Sequence, residues 1–157
     1  MKTTAEEIEK ARNKGLLLLG YGAISADAMR KKLSQKGFSD EALDAAVVYL
    51  EEKGYIDERR DALRLCESLI KKKYGRRRIL SSVRAKGYGE SALRAADEYL
   101  DTLDFTELCA MAIRAKFKYL PSDRNEMQKA LAKLVALGYN VNEAKNAMRL
   151  LMRAEGE

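Results

Sequence analysis

LSQKGFSDEALDAAVVYL at residues 33–50, VRAKGYGESALRAADEYL at 83–100 and LVALGYNVNEAKNAMRLL at 134–151 decide how this chain folds, because they are three copies of one pattern. Gly37, Gly87 and Gly138 are each followed by an aromatic residue, Phe38, Tyr88 and Tyr139. An apolar residue (Leu33, Val83, Leu134) stands four places before each glycine, and a leucine (Leu50, Leu100, Leu151) closes each copy. The copies recur at periods of 50 and 51 residues, as expected of one supersecondary unit used repeatedly.

Working outward from each glycine, the periodicity is helical. Ala26, Met29 and Leu33 share one helix face, as do Ile79, Leu80 and Val83 in the second copy and Met127, Ala130, Leu131 and Leu134 in the third. The glycine is predicted to stop this first helix in a left-handed conformation, which a residue without Cβ adopts cheaply. Ser39 and Asn140 then have the chemistry of N-caps, and Glu143 completes a capping box with Asn140. Leu43, Val47 and Leu50, matched by Leu93, Ala96 and Leu100, form the buried face of the second helix. A third helix is predicted over 57–73 and again over 105–120, and an extra N-terminal helix over 4–19. No stretch shows the alternation of a strand. The predicted fold is all-α, with about three tandem three-helix repeats, the last curtailed, in an extended, curved row. The expected divisions are an N-terminal helix within 1–24, repeat 1 at 25–74, repeat 2 at 75–121 and a partial repeat 3 at 122–157, with joints at Tyr74-Gly75 and Pro121-Ser122.

Of the 157 residues, 46% are hydrophobic and 34% charged, a composition that supports packed cores. There is no histidine, which excludes histidine-activated nucleophiles and histidine metal ligands. Cys66 and Cys109 are 43 residues apart among apolar neighbours and read as reduced, buried thiols. The longest uncharged run, Gly15 to Ala26, is too short to span a bilayer, and Glu6, Glu7 and Glu9 disagree with a signal peptide. A soluble, cytoplasmic protein is expected. The acid pairs Asp57/Asp61 and Asp97/Asp101 each share a helix face, but no nucleophile and base accompany them. The chain is therefore read as a non-enzyme with no catalytic residue, metal site or cofactor.

Charge is concentrated. Residues 71–94 hold nine basic residues and one acid, a net +8 against +6 for the whole chain, while 97–107 hold five acids and no base. The basic set centres on KKKYGRRR at 71–78. Lys71, Lys72, Lys73, Tyr74, Arg76, Arg77, Arg78, Arg84 and Lys86 are the candidate binding residues for an anionic partner. The bland alternatives are a solvated surface and lysines that favourably meet a helix C-terminus. Tyr74 is a candidate to stack on a base or to be a buried joint residue, and the sequence leaves both open.

These phrases also carry a resemblance. KGYIDERRDA at 53–62, KKKYGRRRI at 71–79 and LSSVRAKGY at 80–88 resemble the RecX family of recombinase regulators. Gly54, Tyr55, Ile56, Asp57 and Glu58 match the phrase that opens the third helix of the family's first repeat. Gly75, Arg78, Ile79, Lys86 and Gly87 match the phrase that opens its second repeat, with Val83 where leucine is usual. Asp61, where the family has a large aromatic, and the GYGAI stretch before Ser25 depart from the pattern. The resemblance covers about residues 16–152. It implies a monomer that binds in the groove of the RecA–DNA filament and limits its extension, ATP hydrolysis, strand exchange and co-protease activity. The basic cluster would then face DNA phosphates, and Asp97, Glu98 and Asp101 would meet basic RecA loops. Weaker, phosphate-mediated contact with single- or double-stranded DNA is implied as well. The alternative is a stand-alone nucleic-acid-binding helical protein using the 71–86 cluster.

Overall fold

The structure, a computed structural model, describes residues 3–156. Among these residues every regular element is an α-helix: α1 (Ala5–Leu19), α2 (Ala26–Gln35), α3 (Asp40–Glu52), α4 (Glu58–Lys71), α5 (Arg76–Ala85), α6 (Glu90–Asp101), α7 (Phe105–Lys116), α8 (Arg124–Ala136) and α9 (Val141–Gly156). The all-α class expected from the periodicity is what the structure has. The helix starts follow local chemistry. Thr4, Ser25, Ser39, Asp104 and Asp123 each accept a hydrogen bond from a first-turn amide, and Asp57 does so for Arg60. Asn140 and Glu143 form the expected capping box, with reciprocal bonds of 2.7 and 2.9 Å. One end differs from expectation. Helix α7 stops at Lys116 rather than running to 120, because Phe117 is already extended.

The ends of α2, α5 and α8 are the three repeat glycines. Gly37, Gly87 and Gly138 take φ of 92°, 77° and 110°, the left-handed region predicted for them. At the first and third, the next amide returns to the helix: Phe38 N–H donates to Leu33 and Tyr139 N–H to Leu134. Helix α4 ends the same way, with Tyr74 N–H donating to Leu69, but Lys73 occupies the left-handed position at φ 72°. It is the only non-glycine residue with positive φ among the described residues.

Two compact units divide the chain: residues through Ala62 with Arg84–Leu93, and Leu63–Val83 with residues from Arg94 onward. In the first, α1 packs on α2 and α3 around Ala11, Met29, Leu33, Leu43, Ala46, Val47, Leu50 and Ile56. In the second, α7 and α8 pack on α9, burying Cys109, Ile113, Leu134, Ala144, Ala147 and Met148. Cys66 and Cys109 are free and buried; burial pushes their thiols up to about 11 and about 12. Among the described residues no helix is long and apolar enough to cross a membrane, and no cluster of three or more His, Cys, Asp or Glu side chains could hold a metal ion.

Candidate functional site

The KKKYGRRR stretch begins in the last turn of α4, turns at Lys72 and Lys73, and enters α5 at Arg76. Three arginines in a first turn oppose the positive end of the helix dipole. What offsets them is the far end of another helix. Gly75 N–H donates to the Leu137 carbonyl at 2.8 Å and Arg77 N–H to the Gly138 carbonyl at 3.2 Å. The Arg77 guanidinium adds a bond from Nη2 to the Val135 carbonyl at 2.6 Å. The unpaired amides that start α5 and the unpaired carbonyls that end α8 thus satisfy one another.

This contact requires two glycines. A Cβ on Gly75 would fall on the carbonyl carbon of Gly138 and the amide nitrogen of Tyr139. A Cβ on Gly138 would lie 2.8 Å from the Gly75 carbonyl oxygen and 2.7 Å from Arg78 Cβ. Tyr139 seals the joint. Its ring is buried, and its hydroxyl donates to the Lys73 carbonyl at 2.8 Å. Burial, reinforced by Cys109 and Glu143, pushes the Tyr139 pKa upward, so the hydroxyl stays a donor.

The cations of the cluster are not equivalent. Arg76 holds Asp97 through Nη2 at 2.6 Å and Asp101 through Nη1 at 2.5 Å. Burial works against its charge, but the hydrogen bonds and the field of the two carboxylates outweigh it and raise its pKa. The Arg78 guanidinium lies 3.9 Å from the centre of the Tyr74 ring, so one face of this half-buried ring is covered. Lys71 and Lys72 are exposed and make no ion pair among the described residues; Lys73 is half-buried with its carbonyl held by Tyr139. Arg84 and Lys86, in the other unit, are exposed at the end of α5.

Sequence reasoning singles out these nine residues but misses their partners. Asp97 and Asp101 are both turned onto Arg76. The other acid pair is likewise engaged: Asp57 caps α4 and the buried Asp61 lies 3.3 Å from Arg60. The usable signal is positional. Twelve residues before the repeat glycine stands Ser25 in the first copy but Gly75 in the second, and a glycine in place of serine at a joint points to close backbone approach.

The equivalent joint in the first unit uses a side chain. Glu58 accepts from Ala26 N–H at 2.7 Å through one carboxylate oxygen and from Gly89 N–H at 2.8 Å through the other. Gly87 there has room: the nearest atom to a built Cβ is Ser25 Oγ, 3.7 Å away.

The helical arrangement is shared with solved proteins. The chain matches the crystal structure of RecX from Lactobacillus salivarius with a TM-score of 0.80 at 18% identity, covering 94% of this chain and 98% of that one. A crystal structure of regulatory protein RecX matches with a TM-score of 0.69 at 23% identity, over 90% of this chain and 71% of that one. Over 140 residues the chain is 29% identical to regulatory protein RecX of Pelodictyon phaeoclathratiforme (strain DSM 5477 / BU-1), spanning 87% of this chain and 86% of the relative. Chain-long similarity to RecX proteins is what these comparisons show. No family model matches the chain. The relative is named a regulatory protein. Glu58 and Gly75, both in the phrases that carry the resemblance, are the residues that build the two joints.

Proposed function

We propose that this protein is a cytoplasmic, monomeric regulator that binds the RecA–DNA filament in its groove and limits filament extension, ATP hydrolysis and strand exchange. The observation that carries the reading is the pairing of chain-long similarity to RecX proteins with a basic joint in which Lys71 and Lys72 stand exposed without an ion pair among the described residues. On this reading Lys71–Lys73, Tyr74 and Arg76–Arg78 supply the anion-facing surface of one unit, and Arg84 and Lys86 contribute from the other by themselves. Each lysine that meets a phosphate releases condensed counterions, so contact with DNA is expected to weaken steeply with salt. Tandem three-helix repeats in an extended, curved row belong to the same reading, since successive modules would meet successive filament subunits at high effective concentration.

RecA ATPase on single-stranded DNA, with substoichiometric protein added, is the decisive experiment. Inhibition at low ratios is expected, and no effect at equimolar ratio overturns the filament reading. Solution scattering addresses the shape. A compact globule of this length has a radius of gyration of about 15 Å, and a value near it removes the extended row. A stand-alone DNA-binding protein instead would bind oligonucleotides strongly without any effect on RecA.

A further inference from the structure

Arg76 is the cation of the basic joint whose charge is matched twice over. Asp97 and Asp101 are one turn apart on α6, hence on one face, and each takes a different terminal nitrogen of the guanidinium. Two oxygens on two nitrogens is also how a guanidinium holds a phosphate. The group of three carries a net charge of −1, so while it is closed it repels a phosphate rather than attracting one. It is also solvated: the side chains of Arg76, Asp97 and Asp101 are 31%, 56% and 64% exposed. Exposed ion pairs of this kind contribute little and exchange readily.

We propose that Asp97 and Asp101 are a built-in mimic of a polyanion, withholding Arg76 from a phosphate-rich strand until that strand displaces them. The inference rests on the reading of the basic joint as an anion-facing surface, and it sorts that surface. Lys71 and Lys72 supply the first contacts, and Arg76 joins only when the carboxylates release it. Weak, scattered phosphates would leave the latch closed. A long continuous strand, held first by the lysines, would raise the local phosphate concentration enough to open it, whereas an oligonucleotide of a few nucleotides would leave it closed.

The test is binding of the full chain to such a short, fluorescent single-stranded oligonucleotide over a range of salt concentrations. The double variant Asp97→Asn/Asp101→Asn is expected to bind several-fold more tightly than the unmodified protein, with a salt slope steeper by about 0.7 for the one additional phosphate neutralised. Arg76→Ala alone is expected to leave affinity within about two-fold, because that charge is withheld. Adding Arg76→Ala to the double variant is expected to abolish the tighter binding. Tighter binding that persists without Arg76 is the general effect of removing two negative charges, and it overturns the latch. So does a double variant that binds no more tightly, or an Arg76→Ala protein that loses as much as Lys71→Ala. Circular dichroism checks folding, and the single variant Asp101→Asn serves the same comparison if the double variant loses helicity. Lys71→Ala/Lys72→Ala separates the two levels. If that variant binds like the unmodified protein, the anion-facing reading itself fails; if it loses affinity while the aspartate variants bind no more tightly, only the latch fails. If no variant binds the oligonucleotide, both fall.

Discussion

The joint built on Gly87 and the joint built on Gly138 occupy equivalent places in the sequence repeat, yet they are held by different physics. In the first, the Glu58 carboxylate bridges two helix N-terminal amides, and a Cβ on Gly87 would meet nothing closer than Ser25 Oγ at 3.7 Å. In the second, backbone lies on backbone: α8 ends against the start of α5 with Gly75 and Gly138 in contact, and Tyr139 locks the turn through the Lys73 carbonyl. A carboxylate on a flexible stem can follow small movements of its partners. Two apposed main chains cannot. The second joint is therefore the more rigid, and it is the one that carries the arginines. Rigid support there holds Arg76 where Asp97 and Asp101 can reach it.

The contrast can be broken first at Gly75. Gly75→Ala drives a methyl group into the Gly138–Tyr139 peptide, which has no side chain to move aside, and should cost about 3 kcal/mol or more, the upper end for overpacking. Urea unfolding measures this; a loss no greater than that of an exposed substitution would show that the backbones are not in contact. Next comes Glu58→Gln. The amide keeps one acceptor but turns a donor toward the other N–H, so about 1.5 kcal/mol should be lost, in line with bonds to charged groups. Glu52→Gln, exposed in α3, is the matched control and should be neutral. If the two glutamates behave alike, the carboxylate bridge does not hold the first joint.

Gly87→Ala should cost about 1 kcal/mol, the left-handed strain alone, because space is available. A cost as large as that of Gly75→Ala would erase the distinction between the joints. The smallest effect is expected at Lys73, a long side chain held at φ 72°. Lys73→Gly relieves that strain but loosens the unfolded chain, so a net stabilisation of about 0.5 kcal/mol is expected. Destabilisation would mean that the lysine stem packs on the turn strongly enough to outweigh the backbone.

Much of this was legible beforehand because it is local. A helix face needs only apolar residues at fixed spacing, so Met29 and Leu33, or Ile79 and Val83, announce buried stripes without knowledge of their neighbours. The left-handed glycines and the Asn140–Glu143 capping box are decided within a few residues, and they appear as expected. The charge of KKKYGRRR was equally plain. Its sorting was not: Arg76 finds its carboxylate on Asp97 21 residues away, Arg77 its carbonyl 58 away, and the Tyr139 hydroxyl reaches Lys73 across 66. No pattern in a single chain states such pairings, because they follow from which helix ends meet.

By itself, then, the sequence determined the helices, their stops and the place where positive charge gathers, since each depends on short-range sterics, capping and composition. Only the tertiary structure decided that α7 packs with α8 and α9, and that α8 ends on the start of α5. It also decided which arginines are held and which lysines stand without an ion pair among the described residues. The reason is physical. The amides and carbonyls left unpaired at helix ends can be satisfied by any suitable partner, and packing, not spacing along the chain, chooses it.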